Sequence, residues 1–329
     1  MKTENKSHKN HTVLVTGGAG FIGSHLVEAL MRRGEEVHVL DNLSGGSLKN
    51  IQQWLTNPRL KFFNGDLLNK ADVEKAVKGC HTVFHLAANP EVRLSSTAPD
   101  IHFRQNVEAT FNLLEAVRRL GDTEAFVFTS TSTVYGDVAK IPTPEDAPLR
   151  PISVYGASKM ASEALINAYA CSYGFRGIIY RLANVIGSRS GHGVIYDFIQ
   201  KLKANPCELE ILGDGTQSKS YLYVDDCVEA MLLGFEDSSG RTEVFNLGSD
   251  DRTDVKTIAK TVVEEMGLRN VVFSFTGGVD GGRGWIGDVK YMLLDTHKMK
   301  ALGWKPKFSS NQAVSASVRS ILKGNPSRV

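Results

Sequence analysis

The sequence predicts an α/β chain built on a doubly wound parallel sheet, with a smaller C-terminal α/β lobe. Three observations predict it. Apolar, β-branched runs alternate with helix-period stretches through the first half of the chain. The first run, 13–16, breaks into glycines spaced G-x-x-G-x-x-G (Gly17, Gly20, Gly23) and resumes at helical spacing through Leu26, Val27 and Leu30. A second run, 36–40, ends on Asp41, 18 positions past Gly23.

Strand, glycine turn and helix N-terminus together form an anion cradle. Glycine allows positive φ and keeps side chains away from an approaching phosphate. The helix behind the turn offers free N–H groups and the positive end of its dipole. A bare strand-to-helix turn can carry the same glycines, so Asp41 matters. An acidic residue at the end of the second strand suits the ribose diol of a dinucleotide and repels a 2′-phosphate. The reading is a Rossmann unit that takes NAD and not NADP.

The remaining elements come in order. A strand at 59–63 runs into Asn64-Gly65-Asp66-Leu67, and a helix is expected at 71–77. Residues 82–86 read as a buried strand. A long helix then carries Val107, Thr110, Phe111, Leu114 and Val117 on one stripe. A strand at 125–128, a helix at 155–173 and a strand at 177–180 complete the alternation. After Asn184 the Gly- and Ser-rich stretch 187–193 precedes a short helix, 194–203, which Pro206 ends. A helix at 224–235 and a strand at 243–247 return to the main sheet. Beyond Asp254 the pattern predicts two or three helices and an irregular segment, 277–287. The expected division is a leader at 1–11, a dinucleotide-binding domain at 12–183 plus 221–250, and a substrate lobe at 184–220 plus 251–329.

Composition narrows the function classes. A chain of 329 residues, 42% hydrophobic and 22% charged, can bury a substantial core. A net charge of +2 without a basic stripe argues against nucleic-acid and membrane-surface binding. Cys80, Cys171, Cys207 and Cys227 lack C-x-x-C spacing and His clusters, so each reads as a small buried hydrophobe and no metal is expected. No apolar stretch approaches the ~20 residues of a membrane span. The polar leader has no apolar segment of the signal-peptide kind, so the expected compartment is the cytoplasm.

The candidate chemistry lies in Tyr155 and Lys159, four apart and on one helix face. The apolar stripe of that helix reads as Ala157, Met160, Ala161, Ala164, Leu165 and Ala168, which leaves Tyr155 and Lys159 pointing elsewhere. An ammonium held near a phenol favours the phenolate and draws its pKa down from ~10. Such a tyrosine can act as a base near neutral pH. The run 129–136 (Thr-Ser-Thr-Ser-Thr-Val-Tyr-Gly) delivers hydroxyls at the carboxyl end of a buried strand, with Tyr135 expected to be structural.

Together these motifs, with His85-Leu86-Ala87-Ala88 and Asn184, resemble the extended short-chain dehydrogenase/reductase family. Within it the chain is most similar to the UDP-glucose (UDP-galactose) 4-epimerases of the archaeal-type branch. The segments that carry this are 88–93 (Ala-Asn-Pro-Glu-Val-Arg), 193–198 and 282–291. The resemblance spans Thr12 to about Pro306.

It implies that Gly17, Gly20, Phe21, Ile22 and Gly23 surround the NAD pyrophosphate. Asp41, Asn42 and Ser44 would hold the adenosine ribose, with Asp66 and Leu67 on the adenine. Leu86, Ala87 and Ala88 would line the cofactor, with Asn106 and Ser130 near it and Lys159 on the nicotinamide ribose. Tyr155, Lys159 and Thr131 would be catalytic. Arg93, Thr131, Ser132, Tyr155, Asn184, Val194, Lys219, Tyr221, Arg283 and Asp288 would contact the sugar nucleotide. The implied reaction interconverts UDP-glucose and UDP-galactose through a 4-keto sugar, with hydride lent to NAD and returned. A homodimer paired through the helices around 106–120 and 155–173 is also implied.

Other readings remain. A 4-epimerase acting on UDP-N-acetylglucosamine or UDP-glucuronate shares every motif, and Met292 aligns where a bulky tyrosine commonly excludes N-acetyl groups. A sugar-nucleotide dehydratase would place Asp-Glu after the catalytic threonine, where this chain has Ser132 and Thr133. A non-catalytic NAD-binding sensor would not need Tyr155, Lys159 and Thr131 together.

Overall fold

The structure, a computed structural model, describes residues 11–324. Its centre is a seven-stranded sheet in which every neighbouring pair is parallel. The strand order is Thr242–Leu247, Arg176–Leu182, Ala125–Thr131, Thr82–His85, Thr12–Thr16, Glu36–Asp41, Leu60–Asn64. A parallel sheet is covered on both faces, so its central strands read as unbroken apolar runs. Thr12–Thr16, Thr82–His85 and Ala125–Thr131 are indeed buried at every residue. The helices Phe21–Arg33 and Val224–Asp237 cover one face through Leu26, Val27 and Met231. The helices Lys70–Val77, Ala109–Leu120 and Val154–Tyr173 cover the other through Val73, Leu113 and Ile166.

The chain runs outward from Thr12–Thr16 to Leu60–Asn64 and then returns to Thr82–His85 on the other side of the first strand. That reversal opens a crevice at the carboxyl ends of the strands. Two glycines make the crevice possible. Gly17 has φ +68°, and a Cβ there would come within 2.9 Å of the Ala87 backbone. A Cβ on Gly23 would meet the Gly17 carbonyl oxygen at 2.1 Å.

Three expectations need correction. The helix Val154–Tyr173 does not bury its alanine stripe: Ala164 and Ala168 are exposed, while Ser158, Lys159, Ser162 and Glu163 are buried. Its inner face is polar because it packs against polar partners. Ser158 accepts from Asn106 and Glu163 meets Arg181. The preceding helix is interrupted by a π-helical segment, Phe103–Glu108. The extra residue in that turn shifts the phase of the later turns by about 100°. Thr110, Leu114 and Val117 are buried as expected, but Val107 is half-buried and Phe111 is exposed; Leu113 takes the inward position. Of the cysteines, Cys80 and Cys227 are buried, while Cys171 and Cys207 are exposed.

The smaller lobe has its own core of Ile195, Phe198, Ile199, Leu209, Ile258 and Val314. Helices Val194–Ala204, Val255–Glu265 and Ser310–Gly324 enclose it. Short strands lie beside them: Glu208–Ile211 pairs with Val272–Phe275, and Ser218–Lys219 lies between Thr253–Asp254 and Tyr291–Met292. Runs of two to four residues are too short to display a period of two, so none stood out in the sequence. Asn184–Ile186 pairs with Tyr221–Tyr223, one strand from each expected domain, and this pair forms the seam.

Most of the expected leader, residues 1–10, lies outside the described residues. His11 stacks on His81 at 5.5 Å. Among the described residues no helix is long and apolar enough to cross a membrane, and no group of three or more His, Cys, Asp or Glu could hold a metal.

Candidate active site

A cavity of about 780 Å³ lies between the strand ends and the smaller lobe. The glycine turn forms one end. Gly17, Gly20, Phe21, Ile22 and Gly23 all line it. The Gly17 N–H donates to the Leu40 carbonyl at 2.9 Å, and no side chain caps the helix at Gly20. The first-turn amides therefore have no side-chain competitor for an anion. Asp41 fastens this end: its carboxylate accepts from the Ala19 N–H at 2.9 Å and the Leu43 N–H at 2.8 Å. Asn42, Ser44, Asp66 and Leu67 line the cavity beside it, and Asn42 donates to Asp66 at 3.0 Å. Leu86, Ala87 and Ala88 form the floor. The crowded Gly17–Ala87 approach, the uncapped helix and the terminal carboxylate fit a dinucleotide pyrophosphate and its ribose.

The strand Ala125–Thr131 brings Thr129, Ser130 and Thr131 to the middle of the wall. The helix Val154–Tyr173 sets Tyr155 and Lys159 opposite them. Ser153 caps that helix by accepting from the Gly156 N–H, which fixes its first turn. The Thr131 side chain faces the Tyr155 hydroxyl. Lys159 is 3% exposed and donates to the Thr129 carbonyl at 2.9 Å.

Burial governs both groups. It pushes the Tyr155 phenol up to about 12 against the opposing influence of the Thr131 side chain. It draws the Lys159 ammonium down to about 7 against the attraction of Glu163. The expectation that Lys159 draws the phenol down is not met within the protein's own groups, where desolvation sets the direction and the lysine is turned to the Thr129 carbonyl.

Beneath this pair lies a buried network. Glu163 accepts from the Ser130 hydroxyl and forms an ion pair with Arg181 at 2.8 Å. Arg181 also donates to the Tyr135 oxygen at 2.9 Å, and the Tyr135 hydroxyl donates to Asn246 at 2.8 Å. Tyr135 is structural, as the sequence suggests.

On the lobe side Arg93, Asn184, Val194, Lys219, Tyr221 and Asp288 line the cavity. Lys219 is paired with Asp288 at 2.5 Å and lies over the Trp285 ring. Tyr221 is the register partner of Asn184 in the short parallel strand pair. Three expected residues stand outside the wall. Asn106 accepts from the Asn89 N–H at 2.8 Å and donates to Ser158 at 2.9 Å, which ties the loop after Ala88 to the Tyr155 helix. Ser132 is buried in the turn after the strand. Arg283 is engaged by Asp137 at 2.8 Å and by the Asp288 carbonyl at 2.5 Å. Met292 is buried beside Ala183 and Val289, both of which line the cavity, but does not itself form the wall.

The structure adds Thr133, Arg189 and His192 to the wall. Thr133 bonds the Thr131 hydroxyl at 3.2 Å, and Arg189 pairs with Glu28 at 2.6 Å from a left-handed backbone, φ 64°. A lone arginine in a Gly/Ser loop has no periodicity that would reveal it; Thr133 was visible in the hydroxyl run.

The model of the NAD dependent epimerase/dehydratase family matches residues 13–248. The chain belongs to that family. A solved UDP-galactose 4-epimerase is 45% identical, covers 95% of this chain and 99% of its own, and superposes with a TM-score of 0.85. A Thermus thermophilus UDP-glucose 4-epimerase in complex with NAD is 35% identical, with coverage of 94% and 98% and a TM-score of 0.82. A UDP-glucose 4-epimerase of Mycolicibacterium smegmatis is 31% identical over 93% of this chain and 96% of that one. Epimerases of UDP-N-acetylglucosamine from Methanobrevibacter ruminantium and of UDP-glucuronic acid from Bacillus cereus are 29% and 30% identical. Their TM-scores are 0.83 and 0.84. The protein is thus an NAD-dependent enzyme of the extended short-chain dehydrogenase/reductase type. The solved relatives share the fold and two of them are complexes with NAD, while the sugars they name differ.

Proposed function

We propose that this epimerase-family enzyme interconverts UDP-glucose and UDP-galactose at carbon 4. The observation that carries the proposal is the convergence of Tyr155, Thr131 and Lys159 on one stretch of the cavity wall. Ser132 and Thr133 follow the threonine, so the acid–base pair that removal of water would need is missing there.

In this reading Asp41, Asn42 and Ser44 hold the adenosine ribose, Asp66 and Leu67 the adenine, and the glycine turn the pyrophosphate. Lys159 holds the nicotinamide ribose. Thr131 holds the sugar 4-hydroxyl, and Tyr155 removes its proton and later returns it. Bound there, NAD would supply a reversible hydride acceptor for carbon 4, and its cationic ring would favour the phenolate. Asn184, Tyr221, Lys219 and Asp288 receive the nucleotide end, where Lys219 exchanges part of its pairing with Asp288 for the diphosphate. A phenol as strongly raised as Tyr155 needs both neighbouring cations to serve as a base near neutral pH.

Incubation with NAD and UDP-galactose is expected to yield UDP-glucose, resolved by NMR. Tyr155→Phe should reduce turnover at least about 10³-fold while NAD binding, read by fluorescence titration, persists. Full turnover in that variant would overturn the assigned base.

A further inference from the structure

We propose that Glu91, locked to Arg93 beside the catalytic tyrosine, selects the sugar: it admits UDP-hexoses with a neutral carbon 6 and excludes UDP-hexuronates. The inference rests on the UDP-sugar reading above and extends it to one substituent.

Glu91 and Arg93 both line the cavity. They belong to the short turn Val92–Ser96 and its cap, which is tied to the catalytic helix through Ser95. The Tyr155 N–H donates to the Ser95 hydroxyl at 3.1 Å. The ring of His102, fully buried, meets the Tyr155 ring edge-on at 5.6 Å. Asn89, two residues before Glu91, is held by Asn106, which is bonded in turn to Ser158 on the same helix. A sugar with a hydroxyl at Tyr155 therefore has this turn as a neighbour.

The cluster at the turn, with Asp197 counted, carries a net negative charge. The Arg93 guanidinium grips Glu91 with two hydrogen bonds, of 2.8 and 2.7 Å, and the Arg93 N–H adds a third at 3.2 Å. Those bonds hold the Glu91 carboxyl below its ordinary range, so it is charged at any working pH. Asp197, on the helix Val194–Ala204 of the other lobe, stands 4.0 Å from the same guanidinium. One cation thus faces two carboxylates. His192 lines the cavity beside them, and burial lowers its pKa, which favours the neutral ring. Elsewhere on the wall Lys219 is paired with Asp288, Arg189 with Glu28 and Lys201 with Glu210. Among the described Lys and Arg residues that line the cavity, only Lys159 has no carboxylate partner within ion-pair reach, and it is bound to the Thr129 carbonyl. A hexuronate would bring its carboxylate toward like charge with no free guanidinium to receive it. A hydroxymethyl group carries no charge to repel and can donate a hydrogen bond to either acid. A sugar that displaces water from the turn lowers the local screening and strengthens the difference.

Titration calorimetry of the full chain with NAD, using UDP-glucose and UDP-glucuronate as the two probes, tests this. Both carry the same UDP, so their affinity ratio isolates the carboxylate. The wild type is expected to bind UDP-glucose at least about ten-fold more tightly. Glu91→Gln frees Arg93 and should shrink that ratio at least about five-fold, while Arg93→Ala, which leaves Glu91 unpaired, should preserve or widen it. Thermal melts confirm that both variants fold; the turn is partly exposed, so neither change opens the core. Equal binding of the two probes by the wild type, or an unchanged ratio in Glu91→Gln, overturns the inference and leaves the UDP-sugar reading standing. Failure of the wild type to bind either probe overturns that reading and the inference with it.

Discussion

Lys159 has its ammonium against the Thr129 carbonyl and over the Phe128 ring, sealed from water. Burial brings its pKa from the ordinary 10.5 to about 7. Between those two values the unfolded chain holds a proton on this lysine that the folded protein lacks. Folding then releases a proton, and the contribution of Lys159 to stability rises with pH across that window, by at most about 1.4 kcal/mol per unit. Below about pH 7 both states are protonated and the folded state bears the full penalty of the buried charge. Lys159→Met is therefore expected to be more stable than the wild type at pH 6.5, with the gap closing by about pH 9.5 in urea titrations. A gap that does not change with pH would mean that Lys159 keeps its proton throughout, held by Glu163. The same residue shows what the sequence could not say: the four-residue spacing placed Tyr155 and Lys159 on one face, but only packing shows that the face is buried and that desolvation sets both pKa values.

At the scale of elements, the glycine turn was legible in full, because each of its residues answers a local steric demand. Gly23 is the sharpest case. An added Cβ would lie 2.1 Å from the Gly17 carbonyl oxygen and force the turn open. Gly23→Ala should weaken NAD binding at least about ten-fold and destabilise the protein by about 1–3 kcal/mol, measured by fluorescence titration and denaturant unfolding. Unaltered NAD affinity would place the dinucleotide elsewhere. The strands of the main sheet were equally legible, since burial on both faces leaves continuous apolar runs. The helix Val154–Tyr173 was located correctly but turned the wrong way. The stripe of Ala157, Ala161 and Ala164 looked like a core face, yet the protein fills the inner face with Ser158, Ser162 and Glu163, which find hydrogen-bond partners there. A π-helical turn, invisible to a 3.6-residue period, holds Val107 and so takes it out of phase with Thr110, Leu114 and Val117. The lobe's short strand pairs form between segments far apart in sequence, and no local signal announces them.

For the whole molecule, the outward faces of the helices Ala109–Leu120 and Val154–Tyr173 carry consequences. Phe111, Val154 and Tyr173 are exposed there, with Phe103 from the adjoining π-helical turn at 61% exposure. A second copy of the chain is the proposed cover, so light scattering should give the mass of two chains, and Phe111→Lys should shift the population toward one. A single-chain mass for the wild type would remove that proposal without touching the chemistry. The cavity, by contrast, joins elements from both ends of the sequence: the glycine turn, the Tyr155 helix, the Gly/Ser loop and the segment around Asp288. Motifs gave most of its lining. They did not give its charge pairing, because ion pairs such as Lys219–Asp288 and Arg189–Glu28 span 69 and 161 positions of sequence.

The central claim is that the sugar's own hydrogen leaves carbon 4 and returns to the same carbon inside this cavity. UDP-galactose deuterated at carbon 4, converted by the protein and NAD in ordinary water, tests it most directly. The account predicts UDP-glucose that keeps its deuterium at carbon 4, read by NMR. Deuterium lost to the solvent during conversion would contradict it.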